Sequence, residues 1–295
     1  MKTRLVWLSL GAAALSSTIP GSNAQPSAAT VPAAALDAAG ATSRFTAQPR
    51  VQLAENHQHG APAAAAAGGE GGEDQTKLDA DARLDPMVRF YRDIQLVRGH
   101  ILVGDELVTA GLWADALPHF LHPVEELYTK LGPEIKIMKM KPFLQQLKVL
   151  AQTVKAKNAA AYKGALPALN ERLDAVDVST IALKSDWMLF AVETAIETMR
   201  SAIGEYGESI KDGKFAKAVE YQDARGFVWQ ADRLLSSVEA AITAKDSAAS
   251  ARLRTELSEL KSAWPSPVPP AVPVKDKSQV ASSISRIELA MGSLR

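Results

Sequence analysis

An all-α fold is predicted for the body of this 295-residue chain, and three observations predict it. From about Asp85 onward, apolar residues recur at spacings of three and four, the stripe of an amphipathic helix. No comparable run alternates with a period of two, so a sheet is not expected. Breaks in the pattern fall at Gly111, Gly132-Pro133, Gly213 and Pro265-Ser266-Pro267-Val268-Pro269-Pro270, where helices should stop.

The chain begins with a processing signal. Met1-Lys2-Thr3-Arg4 is positive, and Leu5 to Leu15 is a mostly apolar run. That run is short of the roughly 20 residues that a membrane span needs. Ser22-Asn23-Ala24 then supplies a small-x-small cleavage site. Residues 1–24 therefore read as a secretory signal peptide, and the mature chain is expected to be periplasmic or secreted. No later stretch is apolar for long enough to span a bilayer, so no transmembrane segment is expected in the mature chain. Residues 25–80 form a linker rich in Ala, Pro, Gly and Ser, including the run Ala63 to Ala67 and Gly68-Gly69-Glu70-Gly71-Gly72. Such a segment cannot bury enough apolar surface to offset its ordering entropy, and it is expected to be disordered.

Helices follow near 86–110, 113–131, 142–157, 160–177, 185–211, 215–244, 246–264 and 277–294. Phe143, Leu147, Leu150 and Val154 make one stripe. Tyr162, Leu166, Leu169, Leu173 and Val176 make another, with Pro167 inside it expected to kink or shorten the helix. Leu253, Leu257, Leu260 and Trp264 make a third, and Val280, Ile284, Ile287, Met291 and Leu294 a fourth. The segment 106–117 also aligns with 208–219 at a constant offset of 102. Glu106, Gly111, Trp113, Ala114, Ala116 and Leu117 fall on Glu208, Gly213, Phe215, Ala216, Ala218 and Val219. In each, a helix ends at Gly, which takes the left-handed conformation without a Cβ penalty, and a second helix should open at the aromatic residue. The expected architecture is two similar four-helix units, 84–180 and 184–295. Duplication and the general likeness of helical hairpins both account for the match.

Composition excludes several functions. With 33 basic and 33 acidic residues the net charge is zero, and loss of Lys2 and Arg4 with the signal leaves 31 against 33, a net of −2. No nucleic-acid partner working through bulk charge is expected. There is no cysteine, so disulfides, thiol nucleophiles and Cys-bound metals are excluded. No Gly-rich phosphate loop and no G-x-S-x-G nucleophile motif is present, and no enzyme activity is expected. A metal site would have to use histidine and carboxylate, with methionine such as Met138 or Met140 as a soft alternative.

The five histidines are grouped. His57 and His59 lie in the linker, where a polar tether and a weak cation site are the two readings. His100, His119 and His122 lie in the first hairpin. His119 and His122 are three apart, on one helical face, and Glu125 and Glu126 follow within one turn. Folding the hairpin at Gly111 brings His100 to the height of His122, because each is eleven residues from the turn. Glu106 should then fall near His119. His100, His119, His122, Glu125 and Glu126 form a candidate site for zinc, copper or iron. The other reading makes His122 a cap residue before Pro123, with Glu125 and Glu126 placed on the dipole of the next turn. At the offset of 102 the second unit has Ala202, Tyr221 and Ala224 in place of the three histidines. In that second hairpin, Glu220, Asp223 and Arg225 either line a cleft or form a solvated charged face.

His122-Pro123-Val124-Glu125 resembles the H-x-x-E motif of imelysin-type and related periplasmic iron-uptake proteins. That resemblance implies export, an all-helical fold of two four-helix bundles, and metal binding at His122 and Glu125. Gly111-Leu112-Trp113-Ala114-Asp115-Ala116 and Gly213-Lys214-Phe215-Ala216-Lys217-Ala218 resemble the turn of tetratricopeptide-type hairpins, which implies protein binding. The expected function is an exported soluble protein that binds a divalent metal in the cell envelope. The alternative is an envelope protein-interaction module without metal.

Overall fold

The computed structural model describes residues 81–294. The expected signal peptide and the whole of the linker, including His57 and His59, lie outside the described residues.

The first half opens with α1 (Pro86–Thr109), where the Asp85 side chain accepts from the Met87 and Val88 amides and Pro86 fills a position needing no N–H donor. Gly111 makes the turn at φ +78°. Next comes α2 (Trp113–His122), which carries Pro118 without breaking. A five-residue π turn, Pro123–Leu127, joins it to α3 (Tyr128–Ile137). Then α4 (Leu144–Lys155) and α5 (Ala159–Ala182) complete this half. The second half has α6 (Trp187–Ser209), a two-residue hairpin of β1 (Ile210–Lys211) and β2 (Lys214–Phe215), α7 (Ala218–Ser237), α8 (Glu239–Lys245), α9 (Ser247–Lys261) and α10 (Lys277–Met291). The fold is all-α, with each half built on a long helix, its hairpin partner and a further helical pair. No helix among the described residues is long and apolar enough to cross a membrane.

Several expected boundaries move, each for a local reason. The helix expected over 113–131 instead continues past Gly132-Pro133 to Ile137, but through a change of register. Pro123 has no N–H to return to the carbonyl four residues earlier, and the Tyr128 amide reaches back five residues to the Pro123 carbonyl. Pro167 does not shorten α5, which runs on to Ala182. The second hairpin departs from the first at its aromatic residue. Trp113 begins α2, whereas Phe215 belongs to the β ladder beyond Gly213 (φ +72°), and α7 starts only at Ala218. The helix expected over 215–244 also divides, at Val238, into α7 and α8.

The buried apolar side chains of both halves form one continuous core. Helix α1 is central to it, packing on α2 within its own half and on α6 and α7 of the other. Its crossing with α7 is set by two glycines. A Cβ on Gly226 would lie 2.3 Å from the Gly99 carbonyl oxygen, so the two backbones touch there. His100 follows Gly99 and Asp223 precedes Gly226 by one turn, so this contact brings their helix segments together. Gly226→Ala gains helix propensity, roughly 1 kcal/mol, yet it should destabilise by about 1–3 kcal/mol because the helices must separate. A thermal melt checks the sign: a lower Tm is expected, and an unchanged or higher one would remove the glycine contact as a determinant.

Candidate metal centre

Three histidines of the first half converge on one carboxylate of the second. Asp223, on α7, is 2% exposed. His100 Nδ1 on α1 lies 2.6 Å from its Oδ1, and His119 Nδ1 on α2 lies 2.7 Å from the same oxygen. His122 Nδ1, at the end of α2, lies 3.2 Å from Oδ2. The rings of His100 and His122 are 5.5 Å apart, nearly perpendicular. Phe227, one turn beyond Asp223, sets its ring at right angles to His100 with centroids 4.9 Å apart.

The electrostatics follow from this geometry. Burial alone would push the Asp223 carboxyl up. The pull of His100 and the N–H groups of all three imidazoles overcome burial and hold it well below the usual carboxylate range. An ionised Asp223 only accepts, so each histidine donates an Nδ1–H to it. The hydrogen bond to Asp223 raises His122 to about 9 against the effect of burial, helped by the charges of Asp223, Glu126 and Glu220.

His100, His122 and Asp223 lie at the wall of a cleft of about 580 Å³. Eight carboxylates and three Lys or Arg side chains line it, so its field attracts cations. Glu126 from the π turn and Glu220 from α7 are among those carboxylates. His100, His122 and Asp223 each offer a ligand atom, and these atoms lie within 4.8 Å of one another.

The structure sorts the residues singled out in the sequence. His100, His119 and His122 come together on one side chain. Glu126 lines the adjoining cleft, while Glu125 is exposed and does not line it. Glu106 is not a partner of His119. It pairs with Arg225 through two contacts of 3.0 and 3.1 Å, and that guanidinium stacks 3.8 Å over the Trp229 ring. Of the charged group in the second hairpin, Asp223 and Glu220 reach the cleft, and Arg225 is held away by Glu106. Asp223 is the central residue, and no spacing pointed to it, because it stands 101 to 123 residues from the histidines it binds. Gln222, whose Oε1 lies 2.9 Å from His119 Nε2, gave no signal in the sequence.

Comparison with known proteins is sparse. No curated protein and no solved structure matches the chain. Residues 182–294, which include Asp223 and span α6 to α10 but none of the three histidines, match the family model of the iron permease-associated 4-helix bundle domain.

Proposed function

We propose that this is an exported, non-enzymatic helical protein that binds a divalent cation between its two halves, with ferrous iron the first candidate. The observation that carries the proposal is the convergence of His100 and His122 on the buried Asp223 at the wall of an acidic cleft. Two imidazoles and a carboxylate suit a first-row cation, and such a set leaves coordination positions for water. Two donors each about 2.1 Å from an ion and at right angles stand about 3.0 Å apart. The His100 and His122 contacts with Asp223, at 2.6 and 3.2 Å, bracket that separation. Zinc and copper fit the same donors. The match of the second half to an iron permease-associated domain favours iron, and the expected export signal favours the cell envelope.

The ion would replace Nδ1 protons, so binding releases them. It would also join α1 and α2 to α7, because its donors come from both halves. Calorimetry on the full chain tests the proposal. His57→Ala and His59→Ala are first introduced to silence the linker pair. Zinc, copper and, without oxygen, ferrous iron are then titrated. One ion per chain is expected, with affinity falling at least about 100-fold when His100→Ala and His122→Ala are added. Absence of binding, or binding unchanged by those two substitutions, would leave the metal-free interaction module as the reading.

A further inference from the structure

His119 stands apart from the other two histidines in one respect. It is fully buried, with 0% exposure, and does not line the cleft, whereas His100, His122 and Asp223 all do. Both of its ring nitrogens are engaged, Nδ1 at 2.7 Å from Asp223 Oδ1 and Nε2 at 2.9 Å from Gln222 Oε1. Gln222 and Asp223 are consecutive on α7. The imidazole thus bridges two neighbouring side chains of one helix from the back.

We infer that His119 is a positioning residue of the metal centre: anchored by Gln222, it holds the Asp223 carboxylate toward His100 and His122 and does not bind the ion. This rests on the metal reading above. A lone carboxylate rotates about two side-chain bonds. Clamping Oδ1 from the side away from the cleft stops that rotation and fixes which face meets an arriving ion. Partners of this kind behind a ligand typically contribute 10- to 100-fold to affinity. The centre then has three protein donors, with its remaining positions turned to the cleft and filled by water.

Pulsed electron paramagnetic resonance on the full chain loaded with Cu(II) counts bound imidazoles, again with His57→Ala and His59→Ala in place. Two imidazoles are expected in this parent, two in His119→Gln and one in His100→Ala. Affinity should fall about 10- to 100-fold in His119→Gln with the imidazole count unchanged. Because His119 is buried, Gln222→Ala serves as a second variant that leaves all four site residues in place. It should weaken binding several-fold. Three imidazoles in the parent, a count of one in His119→Gln, or unchanged affinity in both His119→Gln and Gln222→Ala would overturn the assignment while leaving metal binding intact. A parent that binds no copper would overturn the metal reading itself, and this inference with it.

Discussion

Asp223→Asn should cost about 3–5 kcal/mol of stability and abolish high-affinity metal binding. The substitution keeps size and shape but removes the charge that three imidazoles share. Taking away one partner of a buried charged pair leaves the other uncompensated, which is the costly direction. The Asn amide also turns a donor toward histidines that already donate, so at least one N–H loses its acceptor. For a folded body of this size, each kcal/mol lowers Tm by about 2–4 °C. A melt should therefore shift down by roughly 6–20 °C. In the same variant His122 should titrate well below its present value of about 9, because its bond to Asp223 is the largest cause of that elevation. An NMR titration of the His122 ring checks this independently of stability. A variant that melts normally and keeps an elevated His122 would show that Asp223 is not the hub of the cluster.

The second large effect is a pH dependence that reverses when metal is added. Without metal, His122 sits above its ordinary value near 6.5. A group raised by folding contributes stability that is complete below its unfolded value and is lost as pH rises through its folded value. The metal-free protein should therefore lose stability between about pH 6.5 and 9. The expected loss is on the order of 1–2 kcal/mol, because the His122 side chain is 26% exposed and solvent screens part of the interaction. Asp223 is depressed, so its contribution has the opposite sign. It is present above the ordinary carboxylate range and lost as pH falls below it. Metal affinity moves the other way from metal-free stability over the alkaline window. The ion must displace the His122 proton, so affinity should rise up to about 10-fold per pH unit until pH 9. Calorimetry and thermal melts from pH 6 to 9 would show the two trends crossing. In His122→Ala both slopes should flatten. A metal-free Tm that climbs steadily over this window would contradict the sign.

Local chemistry explains which parts of the structure were legible in the sequence. Stripes such as Leu253, Leu257, Leu260 and Trp264 announced their helices because three-and-four spacing and burial have the same cause, and all four side chains are buried. Gly111 and Gly213 announced their turns because both adopt positive φ. The prolines are harder to read: Gly132-Pro133 is expected as a break and Pro167 as a kink or early end, yet both prolines lie inside helices, and Pro123, which suits a helix start, opens the π turn instead. Whether a register slip absorbs a missing N–H depends on packing around it, which a single sequence does not display. The site was legible by halves. The hairpin geometry about Gly111 placed His100 beside His122, because counting residues from a tight turn is local arithmetic. Asp223 lay beyond that arithmetic. Its place depends on α1 crossing α7 at Gly99 and Gly226, a contact between helices 127 residues apart in the chain. Glu125 illustrates the converse. Its H-x-x-E spacing to His122 is visible, but Glu125 lies within the π turn and is exposed to solvent.

The central claim is that an ion sits among His100, His122 and Asp223. A crystal of the full chain loaded with ferrous iron, measured on either side of the iron absorption edge, tests this most directly. One strong anomalous peak is expected at the cleft wall, about 2.0–2.2 Å from a ring nitrogen of His100, a ring nitrogen of His122 and an oxygen of Asp223. His119 should remain between Asp223 and Gln222. A loaded crystal with no peak among these three side chains, or with its peak elsewhere on the protein, would contradict it.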